Sequence, residues 1–472
     1  MKLVMKFGGT GINSARKVLY VADLVKNHKL TTHDDLVLVV SAIRGVTDMI
    51  LAISDSVKSG DKISIDEFIK KIRTMHLNII KDVIRNHNLR KEANSIVSKL
   101  VDELQDILQG IVLLAEVTPK SLDYLLSFGE RLSTPILSIA LQDVGVTSQY
   151  IAGTDLGILT DSNFSEAHPL MNTTKLRVMH VIDPLLKQGV VPVVTGFIGK
   201  DQNGSITTLG RGGSDYTATI IASSIDADEV WLWTDVNGLM TADPKIIKDA
   251  KVLKEVSFAE AIEMALFGAK FIHPRTLEPI MSTKIPIRVR NTFNLQHEGT
   301  LIVQNPSKLS QKIVKSINVI RHTALIDVSG EAMVGSPGTA AKIFDQLARS
   351  RVNIMMISQS PSESSISMVV RKVDLDKAIT TLELNLLGKT IKKLNVNEDV
   401  AVIAVVGSGM RGIKGVAARV FSSVSRKNVN VIMIAQGSSE LNLAFVVDDE
   451  NCQRAVEALH NEFNLGKQEM IS

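Results

Sequence analysis

The stretch TTLGRGGSDYTAT, Thr207 to Thr219, sets Gly210, Arg211, Gly212, Gly213, Ser214 and Asp215 in a row, ahead of residues able to open a helix. Glycines let backbone amides approach an anion closely, which is phosphate-binding chemistry, yet the lysine that follows the last glycine of a Walker loop is absent. Three readings stand: a nucleotide site whose cation comes from elsewhere, a site for another ligand, or a flexible turn. Other segments could supply what is missing. MKFGGTG carries Lys6 at the end of an apolar run, then Gly8 and Gly9; alone it reads equally as a lysine before a tight turn. SAIRGVTD offers the hydroxyls of Ser41 and Thr47, residues that also form turns and cap helices. SFGERLS places Glu130 between a glycine and an arginine, where an isolated glutamate reads as a solvated helix residue. WTDVNGLMTADPK and FGAKFIHPRT add Thr234, Asp235, Met240, Lys245 and Lys270; in them Asp243 and His273, each before a proline, read as turn and structural residues.

These segments need elements to hold them, and the pattern over residues 1–305 provides them. KLVMKF (Lys2 to Phe7), DLVLVVSA (Asp35 to Ala42), GVVPVVTGFIG (Gly189 to Gly199), EVWLWTD (Glu229 to Asp235) and IPIRVRN (Ile285 to Asn291) are β-rich apolar runs separated by helical stretches. The alternation predicts an α/β domain, with a mainly parallel sheet sandwiched by helices and ligands bound beyond the carboxyl ends of the strands. From about Asp61 to Leu141 the apolar period is three to four residues and proline is scarce, which predicts a helical excursion from the sheet. The polar VQNPSKLSQ, Val303 to Gln311, is the expected linker.

An internal repeat follows. MVGSPGTAAKIF from Met333 aligns with MRGIKGVAARVF from Met410, and VNIMMISQSPSESSISMVV from Val352 aligns with VNVIMIAQGSSELNLAFVV from Val429, at one offset of 77 residues. The repeated order of strand, Gly-rich turn, helix, strand, turn, strand and helix becomes a ferredoxin-like βαββαβ unit once a fourth strand is added. The first copy, 324–397, has that strand in TIKKLNV, Thr390 to Val396. The second, 401–464, is expected to borrow KIVKSINVI, Lys312 to Ile320, which would nest the two copies in one regulatory lobe, 312–472. VIAVVGSGMRG in the second copy, with Gly407, Gly409 and Gly412, has the spacing of a dinucleotide fingerprint. The aligned first copy lacks the middle glycine, and the next strand lacks an acid for a ribose, so the turn belongs to the repeat rather than to a cofactor.

Composition narrows the function classes. The net charge of +3 comes from scattered lysines and arginines interleaved with acids, which leaves no electrostatic footprint for nucleic acid. No apolar run approaches the ~20 residues of a membrane span, and the N-terminus lacks a signal-peptide core, so a cytoplasmic protein is expected. The single cysteine, Cys452, can form neither an internal disulfide nor a thiolate metal site alone, and is expected to be a buried small hydrophobe.

Taken in order, KFGGT, SFGERLS, TTLGRGGSDYTA, WTDV.G..TADP and FGAK..HPRT resemble the aspartate kinases of the amino-acid-kinase superfamily, and the resemblance covers the whole chain because that family also carries two nested ACT modules. It implies transfer of the γ-phosphoryl group of Mg-ATP to the side-chain carboxylate of L-aspartate, the first step of the route to lysine, threonine and methionine. By resemblance, Lys6 and Asp215 are catalytic, with Lys6 on the phosphates, Gly8 and Gly9 donating amides, and Asp215 orienting Lys6. Arg211 would grip the α-carboxylate, Glu130 the α-ammonium, and Ser41, Thr47 and Ser214 would complete the aspartate pocket. Thr234, Asp235, Met240, Lys245 and Lys270 fall to the nucleotide, and magnesium would be carried by ATP without direct protein ligands. An amino-acid effector, lysine or threonine, is expected near Met333, Gly335, Ser336 and Gly338, and paired ACT modules imply a homodimer or larger homo-oligomer. The chain departs from the family's usual residues at Gly11 and Ile12, Asp48, Met240, Lys245 and Ser365. Of these, Met240 and Lys245 bear on nucleotide preference and Ser365 on effector sensitivity.

Overall fold

The computed structural model describes residues 1–57, 62–268, 272–307 and 312–467. Lys270 and residues 308–311 of the expected linker lie outside them. The chain divides into two compact units: Met1–Leu239 with Lys254–Phe258 and Phe271–Pro306, and Met240–Leu253 with Ala259–Lys270 and Ser307–Ser472.

The strands of the first unit are β1 (Lys2–Phe7), β2 (Asp35–Val40), β3 (Ser148–Ile151), β4 (Val191–Thr195), β5 (Ile198–Lys200), β6 (Ile206–Thr208), β7 (Glu229–Thr234), β8 (Glu255–Ser257), β9 (Ile287–Asn291) and β10 (Thr300–Val303). Among the described residues, eight of them form one sheet in the order β3-β4-β2-β1-β7-β9-β10-β8, parallel except where β10 meets β9. β5 and β6 form a separate antiparallel pair. The expected single strand Gly189 to Gly199 is therefore two: Phe197, at φ 71, adopts the left-handed region and breaks it between β4 and β5.

β1 alternates its faces. Leu3, Met5 and Phe7 join a core with helices Ala15–Thr32 and Pro119–Asp143, while Lys6 points the other way, to helix Gly213–Ile225. The helical excursion consists of Lys62–Val83 and His87–Leu114, but its third helix, Pro119–Asp143, returns to the sheet and contacts β2, β3 and β4. That helix starts sharply, with Pro119 at its first turn and a capping box between Thr118 and Ser121.

In the second unit, β11 (Ser316–Ser329), β12 (Ile354–Gln359), β13 (Ser365–Arg371), β14 (Lys393–Val406), β15 (Met433–Ala435) and β16 (Asn442–Asp448) form an antiparallel sheet in the order β12-β13-β11-β14-β16-β15. β11 and β14 each serve both repeats. Thr323–Ser329 pairs with β13 and with the first half of β14, and Ser316–Ile320 pairs with Val402–Val406 in the second half. The repeat helices Thr339–Arg349 and Val416–Ser425 start a few residues beyond Gly335 and Gly412, because Gly338 and Gly415, both at φ 85, turn the chain into them. Cys452 is buried in the core of the second repeat. Lys315 and Glu260, both almost wholly buried, form an ion pair of 2.8 Å, and Glu260 also accepts from the backbone N–H and hydroxyl of Ser408 at 2.8 and 2.6 Å.

Candidate active site

At the carboxyl end of β1, Lys6 Nζ lies 2.6 Å from Asp215 Oδ1, and both side chains are largely buried. The chain then turns through Gly8 and Gly9. A Cβ on Gly9 would stand 2.4 Å from the Ala42 carbonyl oxygen, so only glycine allows the two strand-end loops to approach so closely. At Gly8 the nearest atom would be 3.6 Å away, an ordinary contact. The Arg44 N–H donates to the Gly9 carbonyl, and the Ser41 N–H to that of Phe7, which binds the Ser41–Thr47 loop to the glycine turn.

Glu130 approaches this loop from helix Pro119–Asp143. A Cβ on Gly129 would meet the Ala42 side chain at 2.8 Å, and the Ser133 hydroxyl donates to the Ser41 carbonyl at 2.8 Å, so the helix is pressed against the loop. Glu130 is buried rather than solvated, since its helix is covered on this face by the loop. Burial pushes its carboxyl up to about 8, against the pull of the Ala42 N–H, the Ser214 hydroxyl and the Lys6 charge. Oε1 accepts from Ser214 at 3.5 Å, and Oε2 has no partner among the described residues. A buried acceptor left open in this way retains capacity for one more hydrogen bond.

The loop opened by TTLGRGG runs from β6 into helix Gly213–Ile225, with Gly210 at φ 73 and Gly212 at φ 69. Two consecutive residues at the helix start face different groups: Ser214 meets Glu130 and Asp215 meets Lys6. Arg211 is exposed, and its side chain makes no hydrogen bond or ion pair among the described residues. His273 supports the loop from below: a Cβ on Gly212 would lie 2.8 Å from that of His273, whose ring accepts from the Arg275 N–H. Thr234 ends β7 and Asp235 follows it, and the Thr292 N–H donates to the Thr234 carbonyl.

The remaining nucleotide candidates belong to the other unit. Met240 bridges to Val252, and Lys245 donates its N–H to Asp243, which acts as a turn residue. In the first repeat, Met333, Gly335, Ser336 and Gly338 line one cavity of about 370 Å³, where Glu363 accepts from the Gly335 N–H at 3.1 Å. Among the described residues, no cluster of His, Cys, Asp and Glu could hold a metal ion, and no helix is long and apolar enough to cross a membrane. Sequence reasoning passed over Asp123 and Arg275, which bind the loop around Arg211. The available signal was a polar residue seven before Glu130, on the same buried helix face.

The amino acid kinase family profile matches residues 1–291, and the ACT domain profile matches 326–386 and 403–463. Aspartokinase 1, chloroplastic, of Arabidopsis thaliana is 32% identical over 98% of this chain and 80% of its own length. The bifunctional aspartokinase/homoserine dehydrogenase 2 of Zea mays is 32% identical, and the chain spans only 51% of it. The crystal structure of E. coli aspartokinase III in complex with aspartate and ADP superposes with a TM-score of 0.82 at 28% identity, covering 98% of this chain and 100% of that one. The same enzyme in complex with lysine and aspartate gives 0.82 at 29% identity, with coverage of 98% and 99%.

Proposed function

We infer the activity from one premise: the chain belongs to the amino acid kinase family and, within it, to the aspartokinases. It transfers the γ-phosphoryl group of ATP to the side-chain carboxylate of L-aspartate, giving 4-phospho-L-aspartate. The observation that best supports this reading is the adjacency of Ser214 and Asp215, one touching Glu130 and the other Lys6. An amino-acid half-site and a phosphate half-site thus meet across a single peptide bond.

The chemistry fits the side chains available. A carboxylate nucleophile with an ordinary pKa of about 4 is already ionised at neutral pH, so no general base is needed. The barrier lies in bringing an anion up to a polyanion, which asks for positioning and positive charge. In this reading Lys6, oriented by Asp215, neutralises the transferring group, while the amides of Gly8 and Gly9 approach the phosphates. Glu130 takes the α-ammonium on its open oxygen, Arg211 grips the α-carboxylate bidentately, and Ser41, Thr47 and Ser214 contribute hydroxyls. Thr234, Asp235, Met240, Lys245 and Lys270 serve the nucleotide. Magnesium would be carried by ATP, with phosphate oxygens as its ligands, and would supply further charge neutralisation there.

The organisation proposed is a catalytic domain of 1–305 and a regulatory lobe of 312–472. The cavity beside Met333 and Gly335 would take the carboxylate of an amino-acid effector, lysine or threonine, near a helix start. The E. coli relative solved with lysine supports an effector of this class. Pairing of ACT modules would make a homodimer or larger homo-oligomer, and the protein is proposed to act in the cytoplasm. The test is hydroxamate trapping with Mg-ATP and L-aspartate: an aspartyl hydroxamate is expected from the wild type and not from Lys6→Ala. Failure to trap one from the wild type would end this reading.

A further inference from the structure

Asp123 lies in helix Pro119–Asp143 two turns before Glu130, and it is fully buried. Its carboxylate accepts from the Ser165 N–H at 3.0 and 2.9 Å, from the Thr208 N–H at 2.8 Å and from the Thr208 hydroxyl at 2.8 Å. Thr208 is the last residue of β6, three before Arg211. From there the loop crosses two glycines in the left-handed region and enters helix Gly213–Ile225, so it has little stiffness of its own. Its geometry is set by its anchors. Upstream these are Thr208 on Asp123 and the Leu209 carbonyl on Arg275 at 3.4 Å; downstream, the Gly213 N–H donates to the Gly210 carbonyl at 3.0 Å. Ser165, which holds the unfavourable φ of 74, is kept there by the same carboxylate, and the neighbouring Ala167 N–H donates to the Thr208 carbonyl.

One rigid helix therefore carries both Glu130 and the group that fixes the root of the Arg211 loop. Resting on the assignment of Glu130 to the ammonium and Arg211 to the carboxylate of aspartate, we propose that Asp123 is a positioning residue that sets the distance between these two contacts. It touches no substrate itself. An α-amino acid presents its ammonium and carboxylate at a fixed separation, so a helix acting as a spacer selects for that pair of groups.

The experiment is a double-mutant cycle of Asp123→Asn with Arg211→Lys, with KM for aspartate, KM for ATP and kcat measured for each variant. Asp123→Asn keeps the volume but faces three donors with an amide. In the wild-type background it should raise KM for aspartate about tenfold and leave KM for ATP within about twofold. In the Arg211→Lys background the same change should have little further effect, because the grip it maintains is already lost. Thr208→Val, which removes only the hydroxyl bond, should shift KM for aspartate in the same direction by a smaller factor, and it decides the matter if Asp123→Asn fails to fold. Unchanged KM for aspartate, equal rises for both substrates, or strictly additive effects would overturn the proposal. Absence of aspartate phosphorylation by the wild type would instead overturn the activity assignment.

Discussion

Glu130 has one carboxyl oxygen engaged and the other without a partner among the described residues, and burial has pushed it up to about 8. Below that pH the group is neutral and pairs poorly with an ammonium, so kcat/KM for aspartate should fall as pH drops through about 8. Glu130→Gln should raise KM for aspartate and remove that limb, whereas a limb that persists in the variant would assign the titration elsewhere. The stability linkage has the opposite sense. With a folded pKa above the unfolded one, the contribution is fully present below the ordinary carboxyl value and is lost as pH rises through about 8. The melting temperature without ligand should decline over that range, and saturating aspartate should flatten the decline. The Lys6–Asp215 pairing was legible in the sequence because glycines and ordered motifs flank both residues. The burial of Glu130 was not, since what covers it, the Ala42 and Ser214 segments, lies 88 and 84 positions away in the chain. Asp123 was missed for the same reason: its donors are 42 and 85 residues distant.

At the scale of elements, the catalytic geometry depends on loops crowding together at the ends of parallel strands. Gly9 is the tightest point, and Gly9→Ala should nearly abolish activity by driving a Cβ into the Ala42 carbonyl, while Gly8→Ala should retain a substantial part of it. Equal losses in hydroxamate assays of the two variants would show that packing at Gly9 is not the constraint. The strands β1, β2 and β7 were readable as largely apolar runs, because a parallel sheet buries both their faces, while β9 showed as an alternation of Ile287 and Val289 with Arg288 and Arg290. β3, β6, β8 and β10 are only three or four residues long and carry too little pattern to stand out. Helix Pro119–Asp143 shares the period of the two helices before it, and period alone cannot tell a helix packed on the sheet from one packed on other helices.

At the scale of the whole chain, a gapless repeat made the second unit legible as two ferredoxin-like modules. Less legible was that β11 and β14 each run through both modules, since a strand shared by two repeats looks like two short strands. Within that unit the buried Lys315–Glu260 pair joins β11's approach to helix Phe258–Leu266. Lys315→Met removes a buried cation from beside the Glu260 carboxylate and should cost about 3–5 kcal/mol in chemical denaturation, whereas an unchanged midpoint would show that the remaining partners of Glu260, Ser408 among them, suffice. The proposed catalytic arrangement turns on Ser214 and Asp215, which divide two half-sites, one for each substrate. Separate calorimetric titrations of L-aspartate and of Mg-ATP into Glu130→Gln and Lys6→Met test it most directly. The expected result is crossed, with Glu130→Gln losing aspartate affinity and keeping ATP, and Lys6→Met doing the reverse. Loss of both ligands by either variant, or of neither by both, would contradict it.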